Sequence, residues 1–420
     1  MSRKKLTRRS FLGKATAGIA GAAVSISGAN SLSGQPDGNS GNLVTGDGMK
    51  YRRFGRTELM LSELGFGCAS GLRSRQLGPV LFDRWREQIP VIVDTLLDRG
   101  GNVVATGSGY HDTEELLGRA LKGKRQKAYI FTSAEPKEDA KSVIASCERS
   151  LKRFQTDYLD GYFCHNGWSE GFQESSVKLQ EQGKIRFIGQ SGHVPKMHVD
   201  KIQANLVDFI FQPYNYMSLA KWTEKIDTPG IEELFALARK KDIGVLVMKP
   251  MSGHYIPNWA GQTTDPMVQT FLKDLNRLGT RNLYQAFLLW ILQNKNVTTA
   301  VVGLNEAQEV IDNCEAINGK YTSMHKELLE NYAALATDDY CRLCETCMPS
   351  CPKGIRIPDI QRFRMYYKNY GHQLYARELY SNVDTAHCAS SCDSCGICEG
   401  ACPNGVAIMQ NLKEAHKLLA

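Results

Sequence analysis

The chain has 420 residues, 42% hydrophobic and 23% charged, values that suit a packed protein of two or three domains and exclude a disordered chain or a minimal disulfide scaffold. No run of about 18 apolar residues offers a membrane span. Of the formal charge of +7, six positives sit at the N-terminus, where Arg3, Lys4, Lys5, Arg8, Arg9 and Lys14 precede the first acid, Asp37. The near-neutral remainder carries no footprint for a nucleic-acid partner, and the 13 cysteines are the informative excess.

Residues 1–30 run from a basic start through Thr7-Arg8-Arg9-Ser10-Phe11-Leu12-Gly13-Lys14 into a weakly apolar Ala/Gly stretch, Ala15 to Ile26. They resemble a twin-arginine export signal. The apolar core is poor in the leucine that an ordinary secretory signal would carry, and no cysteine follows for a lipid anchor. The expectation is export by the twin-arginine route to the periplasm or another extracytoplasmic space. Residues 31–48, rich in Ser, Gly and Asn, read as a flexible linker.

From Met49 a short apolar run, a helical period and a turn recur. Strands are expected at Leu64–Cys68, Asn102–Ala105, Ala128–Thr132, Tyr158–His165, Phe187–Ser191, Phe209–Pro213, Gly244–Met248 and Val297–Val302. Amphipathic stretches such as Lys141–Phe154, Ile231–Lys241 and Leu283–Asn294 lie between them. Eight such alternations predict an α/β fold, a (β/α)8 TIM barrel over residues 49–335. No Gly-x-Gly-x-x-Gly follows the first strand, which weighs against a Rossmann sheet. A barrel of this kind gathers its chemistry at the C-terminal ends of its strands.

The residues at those ends resemble the aldo/keto reductase family over roughly residues 49–320. The matching motifs begin with Tyr51-Arg52-Arg53-Phe54-Gly55-Arg56-Thr57 and Ser62-Glu63-Leu64-Gly65-Phe66-Gly67-Cys68. They continue with Tyr110 and Glu114-Glu115-Leu116-Leu117-Gly118, then Asp157-Tyr158-Leu159-Asp160 ending in His165. Gly183-Lys184-Ile185-Arg186-Phe187-Ile188-Gly189 with Ser191, Tyr214-Asn215, and Val302-Gly303 with Asn313 complete the set.

The resemblance implies a carbonyl-reducing tetrad in which a tyrosine acid is made more acidic by a Lys-Asp pair. Tyr110 falls at the acid and His165 at the histidine. The aspartate position holds Ala105 and the lysine position Ser133. Losing one member of a buried ion pair strands the other at about 3–5 kcal/mol, whereas losing both is nearly neutral, so the joint loss is coherent and leaves Tyr110 without its cation. Lys249, after the seventh strand, is placed either to bring a charge to the mouth or to contact a phosphate. For the cofactor, Tyr214 matches the aromatic that stacks on nicotinamide. Ser191 lies at the amide-binding strand end, followed by Gly192 where asparagine is usual. Gly303, Asn305 and Asn313 match the loop and helix that hold the adenosine phosphate. The implied cofactor is NADP(H), held tightly enough to accompany an exported protein.

Residues 336–420 carry Cys341-x2-Cys344-x2-Cys347-x3-Cys351-Pro352 and again Cys392-x2-Cys395-x2-Cys398-x3-Cys402-Pro403. This is the two-cluster ferredoxin spacing, in which the fourth cysteine of each run ligates the other run's [4Fe-4S] cluster. One cluster is therefore expected on Cys341, Cys344, Cys347 and Cys402, the other on Cys392, Cys395, Cys398 and Cys351. Zinc ribbons use two Cys-x2-Cys pairs and do not fit. The segment between the runs has a helical period with aromatics at Phe363, Tyr366, Tyr367, Tyr370 and Tyr375, read as the core of a small helix-rich ferredoxin-like domain docked on the barrel. Cys388 reads as a spare thiol, with cluster ligation as the alternative; Cys68, Cys147, Cys164 and Cys314 read as small core residues.

Together these features predict an exported iron-sulfur oxidoreductase acting on a small hydroxyl or carbonyl compound and exchanging electrons with a redox partner protein. The alternative is a non-catalytic electron-transfer or binding protein that keeps the barrel as a scaffold. A nicotinamide passes two electrons at once and a cluster one, and no flavin fingerprint stands between them.

Overall fold

Short apolar runs broken by turns, alternating with one-sided helices, give a computed structural model that describes residues 43–44, 48–69, 79–134, 139–165, 167–218, 230–251, 280–336, 341–368 and 372–420. The expected export signal lies outside the described residues, as do Tyr370 and all of the linker except Leu43, Val44 and Gly48. From Gly41 to Ala420 the chain forms one compact unit.

Three short strands, β1 (Leu43–Val44), β2 (Lys50–Arg53) and β3 (Met60–Ser62), make an antiparallel sheet. Eight parallel strands follow: β4 (Leu64–Gly67), β5 (Val103–Ala105), β6 (Tyr129–Ser133), β7 (Leu159–His165), β8 (Ile185–Ser191), β9 (Phe209–Pro213), β10 (Gly244–Met248) and β11 (Thr299–Gly303). They close into a barrel in chain order, β11 pairing back onto β4 through Ala300↔Leu64 and Gly303↔Gly67. All eight expected strands are present, with ends shifted by a residue or two. β8 begins early, at Ile185, because Gly183 takes a left-handed turn (φ +71°) that ends the preceding helix and lets Ile185 pair with Leu159.

The barrel interior is aromatic. Phe131, Phe163, Phe209 and Phe211 point inward with Val103, Ala105, Leu246 and Val301. Phe54, on the turn between β2 and β3, meets Phe131 at 5.6 Å and Phe209 at 5.5 Å, closing the N-terminal end. Gly161 and Gly189 make room for these rings; a methyl on either would lie 2.3 Å from a phenylalanine carbon. The larger apolar layer lies between the strands and the helices around them. Helix Ala140–Phe154 illustrates local agreement of sequence and structure: Asp139 accepts from the Ser142 N–H at its start, Lys152 and Arg153 lie in its last turn, and it ends at left-handed Gln155.

After helix Ser323–Ala336 the C-terminal module adds helices Ile357–Lys368, Gln373–Ser381, Ile397–Ala401 and Ile408–Leu419. Glu414 on the last helix pairs with Arg364 and Lys368, fixing that helix against Ile357–Lys368. Among the described residues no helix is long and apolar enough to cross a membrane.

Candidate active site and cluster cavities

Strand alternation decides what reaches the C-terminal mouth. On β5 and β6, Ala105 and Ser133 continue the inward face begun by Val103 and Phe131. Ala105 is 3% exposed and packs in the phenylalanine layer, so the position that would carry an aspartate joins the apolar interior. Ser133 lies beside the loop after β5: a methyl on Gly107 would come within 2.9 Å of its Oγ and 3.7 Å of the Tyr110 ring. That loop is held by the Tyr110 N–H bonding Gly107 O at 2.9 Å and by a Thr106–Thr113 hydroxyl contact at 2.7 Å. Tyr110 is thus at the mouth with no hydrogen-bonding partner for its hydroxyl among the described residues, and burial, then Tyr375, Tyr366 and Cys68, push its pKa far up. As a proton donor it is poorly placed.

The opposite side of the mouth is polar. His165, at the end of β7, bonds Ser191 Oγ through Nδ1 at 2.9 Å, which leaves Nε2 as the nitrogen available to a bound oxygen. Its ring meets that of His193 edge-on at 5.0 Å. Lys249, left-handed (φ +56°) after β10, is held by Asn215 donating to its carbonyl at 2.9 Å. Its Nζ reaches His193 Nε2 at 2.7 Å and Tyr366 Oη at 2.9 Å; Tyr366 Oη also lies 3.2 Å from His193 Nε2. Because an ammonium only donates, His193 Nε2 is an acceptor and the neutral ring carries its proton on Nδ1.

Tyr366 comes from helix Ile357–Lys368 of the C-terminal module, so that module completes the mouth. Burial pushes its pKa up, but Lys249 and then Arg362 outweigh this and hold it below the ordinary value. Burial, with help from Lys249 and Arg362, lowers His165 to about 3 and His193 well below its ordinary range. Sequence reasoning placed Lys249 here as one of two options and read Tyr366 as core, with an electron path as the weaker alternative. It missed His193 and Arg362. The available signal was Arg362 four residues before Tyr366, which puts guanidinium and phenol on one helix face.

The positions assigned to the nicotinamide do not assemble its seat. Tyr214 is a correction: its ring lies outside the barrel between Phe235 at 5.1 Å and Trp290 at 5.0 Å, its hydroxyl donating to Glu232 at 2.6 Å. Strand alternation turns it away, because Phe209 and Phe211 hold the inward positions of β9. Asn305 and Asn313 do lie in the last loop and helix beyond Gly303, but the Asn305 N–H donates to the Glu309 carboxylate at 2.6 Å and Asn313 to the Glu309 carbonyl at 2.8 Å. A carboxylate thus stands where a phosphate is expected, and the Ser191 hydroxyl is engaged by His165.

The eight cysteines of the two runs line two cavities. One is bordered by Cys341, Cys344, Cys347 and Cys402, the other by Cys392, Cys395, Cys398 and Cys351. Both runs turn the same way: the residues flanking the second cysteine are left-handed, Leu343 (φ +59°) and Glu345 (φ +63°) in the first, Ser394 (φ +60°) and Gly396 (φ +79°) in the second. Such turns aim successive N–H groups into one concavity, a nest suited to an anionic iron-sulfur cluster, and the Leu343 N–H already points at Cys341 Sγ at 3.5 Å. Among the described residues no three Cys, His, Asp or Glu side chains approach closely enough to hold a single metal ion. Donor set, spacing and backbone therefore fit two [4Fe-4S] clusters. Burial pushes the Cys341 thiol up to about 12 and Cys398 up to about 11. Cys388 borders neither cavity and bonds Ser390 Oγ at 2.8 Å, while Cys68, Cys147, Cys164 and Cys314 are buried in the barrel.

Comparison with known proteins agrees with this architecture. Residues 85–332 match the aldo/keto reductase family model, and residues 340–414 match a 4Fe-4S dicluster domain. L-galactose dehydrogenase of Arabidopsis thaliana is 25% identical over 320 residues, covering 68% of this chain and 94% of that protein. Among solved structures, the holo form of aldo-keto reductase AKR11C1 from Bacillus halodurans superposes with a TM-score of 0.51 at 23% identity, covering 67% of this chain and 95% of that one. An aldo-keto reductase from Klebsiella pneumoniae in complex with NADPH gives 0.50 at 22%, covering 67% and 93%.

Proposed function

Since the chain belongs to the aldo/keto reductase family and carries a C-terminal 4Fe-4S dicluster domain, we propose that it is an exported oxidoreductase that interconverts a small hydroxyl compound and its carbonyl form at the barrel mouth, with the cluster module exchanging the electrons with a partner protein. The observation that carries this reading is the helix Ile357–Lys368. Its first residues, Ile357 and Pro358, border the cysteine cavities, and its Tyr366 is bonded to Lys249 at the mouth. One rigid element thus joins the two chemistries.

Cys341, Cys344, Cys347 and Cys402 would hold one cluster, and Cys392, Cys395, Cys398 and Cys351 the other. When bound, each cluster would supply one-electron exchange; the alcohol gives up two electrons, its O–H proton and the hydrogen on its carbinol carbon, and that hydrogen would leave as a proton as the electrons pass singly to the two clusters. The chain's own residues handle position and proton. His165 Nε2 is the nitrogen offered to the substrate oxygen, Ser191 fixes the ring, and Lys249 keeps His193 neutral. The cavity at Cys392 includes exposed Cys395, which makes it the face for a partner. The dehydrogenase named for L-galactose supports a hydroxylated substrate. The Klebsiella relative was solved with NADPH, but Glu309 and the outward Tyr214 argue against the same arrangement here. Export rests on Arg8-Arg9 and the following Ala/Gly stretch, and on clusters needing a folded carrier, which the twin-arginine route moves.

The test is protein purified without air. Iron near eight atoms per chain, broad absorbance near about 400 nm, and bleaching or recovery of that absorbance by one member of a panel of sugars, polyols and aldehydes are expected. No nicotinamide is expected in the denatured extract. Zinc in place of iron, or clusters indifferent to every compound that binds, would overturn the reading and favour the scaffold alternative, to which the loss of both tetrad charges at Ala105 and Ser133 already points.

A further inference from the structure

We propose that Tyr366, delivered by the cluster module, is the phenol that exchanges a proton with the substrate oxygen, and that Lys249 is the positioning cation that poises it. This rests on the oxidoreductase reading above and assigns its acid-base group.

A phenol acts as acid and base near neutral pH only where its anion is stabilised. At the mouth two phenols compete. Tyr110 has the family position and, among the described residues, no cation acting on it. Tyr366 has Lys249 Nζ at 2.9 Å, and the same nitrogen lies 4.9 Å over its ring; burial lowers the Lys249 pKa, and the Tyr366 phenolate is the partner that pulls it back up, so each group favours the charged form of the other. Arg362, on its own helix, stands 5.7 Å from its ring centre and is itself bonded to Asp359 at 2.6 Å. Among the described residues the other titratable neighbours are His193 at 3.2 Å, Tyr375 stacked at 5.9 Å, His372 at 6.2 Å and Tyr110 across the mouth; burial keeps His193 and both of these phenols neutral. Asp359, a nearby anion, is paired with Arg362 and Arg356. The site has therefore rebuilt a tyrosine-lysine pair from two strand-end and module residues after the original lysine and aspartate positions became Ser133 and Ala105.

The step is a proton transfer alone. In oxidation the substrate O–H bond breaks and its proton forms the O–H bond of the Tyr366 phenolate, the electron pair staying on the substrate oxygen, beside His165 Nε2. In reduction the same bond forms in reverse, and Lys249 balances the phenolate left behind.

Two measurements on the full chain with its clusters test this. The first needs no substrate: the alkaline difference spectrum of tyrosinate, wild type minus Tyr366→Phe, which keeps the ring stacked on Tyr375. The expected result is that Tyr366 is the first buried phenol to ionise, below the ordinary 10.0, and that Lys249→Met shifts it upward with iron content unchanged. A Tyr366 signal at or above the ordinary value, or one unmoved by Lys249→Met, overturns the proposal. The second uses the compound that bleaches the clusters. Tyr366→Phe should lower kcat by about 100-fold to 10,000-fold, more than Tyr110→Phe does, and Lys249→Met should move the pH inflection upward while Lys249→Arg restores it. A larger loss from Tyr110→Phe would return the acid to the family position. If no compound touches the clusters, the functional reading fails, and the titration still decides the acidity of Tyr366.

Discussion

The two sides of the barrel mouth place the same side chain in opposite surroundings. On the β5–β6 side, Tyr110 stands by Ser133, and burial, with no cation acting on it among the described residues, pushes its pKa far up. On the seam with the cluster module, Tyr366 is more deeply buried by its neighbours yet has its pKa lowered, because Lys249 and Arg362 face it. Burial is common to both phenols. What differs is the presence of a positive charge within hydrogen-bonding reach, so the acidity of a site tyrosine follows from its partners and not from its position in the family motif.

The most drastic way to break this comparison is to remove the element that supplies one side of it. Cys341→Ala or Cys392→Ala takes away a ligand of a cluster whose binding is coupled to folding of the small module. Each should empty the affected site and loosen helix Ile357–Lys368, seen as a fall of iron toward half or less and loss of the absorbance near about 400 nm. Lys249 would then lose the Tyr366 hydroxyl while the barrel keeps its circular-dichroism signature. An intact module with four iron atoms per chain and unchanged near-ultraviolet signal would mean that the module's own core holds the seam.

A second way is to give Tyr110 back what Tyr366 has. Ala105→Asp buries a carboxylate in the layer of Val103 and Phe131 and should cost about 3–5 kcal/mol in denaturant unfolding. Adding Ser133→Lys should recover much of that loss, lower the pKa of Tyr110 and raise carbonyl reduction. Equal instability of the single and double variants would show that Ser133 does not face Ala105 closely enough to pair with it.

A smaller effect sharpens the seam itself. Three buried histidines, His165, His193 and His198, are held neutral, with His165 lowered to about 3 and His198 to about 4, burial being the largest cause in each case. Between those values and the ordinary 6.5 the unfolded chain binds protons that the folded chain refuses. Stability should therefore fall as pH drops below 6.5, by about 1.4 kcal/mol per pH unit for each histidine that stays neutral. His198→Gln, which can keep the contact to Gln212 now made at 3.0 Å, should flatten the slope by one such share. An acid slope that does not change would place His198 outside the titrating set.

Much of this was legible in the sequence. Short β-branched and aromatic runs spaced by helical periods fix eight strands, because local patterning and the closed barrel ask for the same thing at every position. The cysteine runs gave the two quartets, since a spacing rule carries its own geometry. The strand-end motifs marked Tyr110, His165 and Ser191, and put Ala105 and Ser133 at the strand ends where the structure has them. Tyr214 went wrong for a local reason: one residue of register turns a side chain from the mouth to the outer layer, and the motif does not state the register. Asn305 and Asn313 lay where expected, yet only coordinates show Glu309 between them.

By itself, then, the sequence determined the barrel and the cluster module, both of which follow from short-range patterns. Only the tertiary structure decided which charged group meets a phenol at the mouth. Lys249 and Tyr366 are 117 residues apart in the chain, on different domains, and no periodicity links them. Their contact exists because the module docks on the mouth, and a charge acts on a phenol through distance in space, which the chain order does not contain.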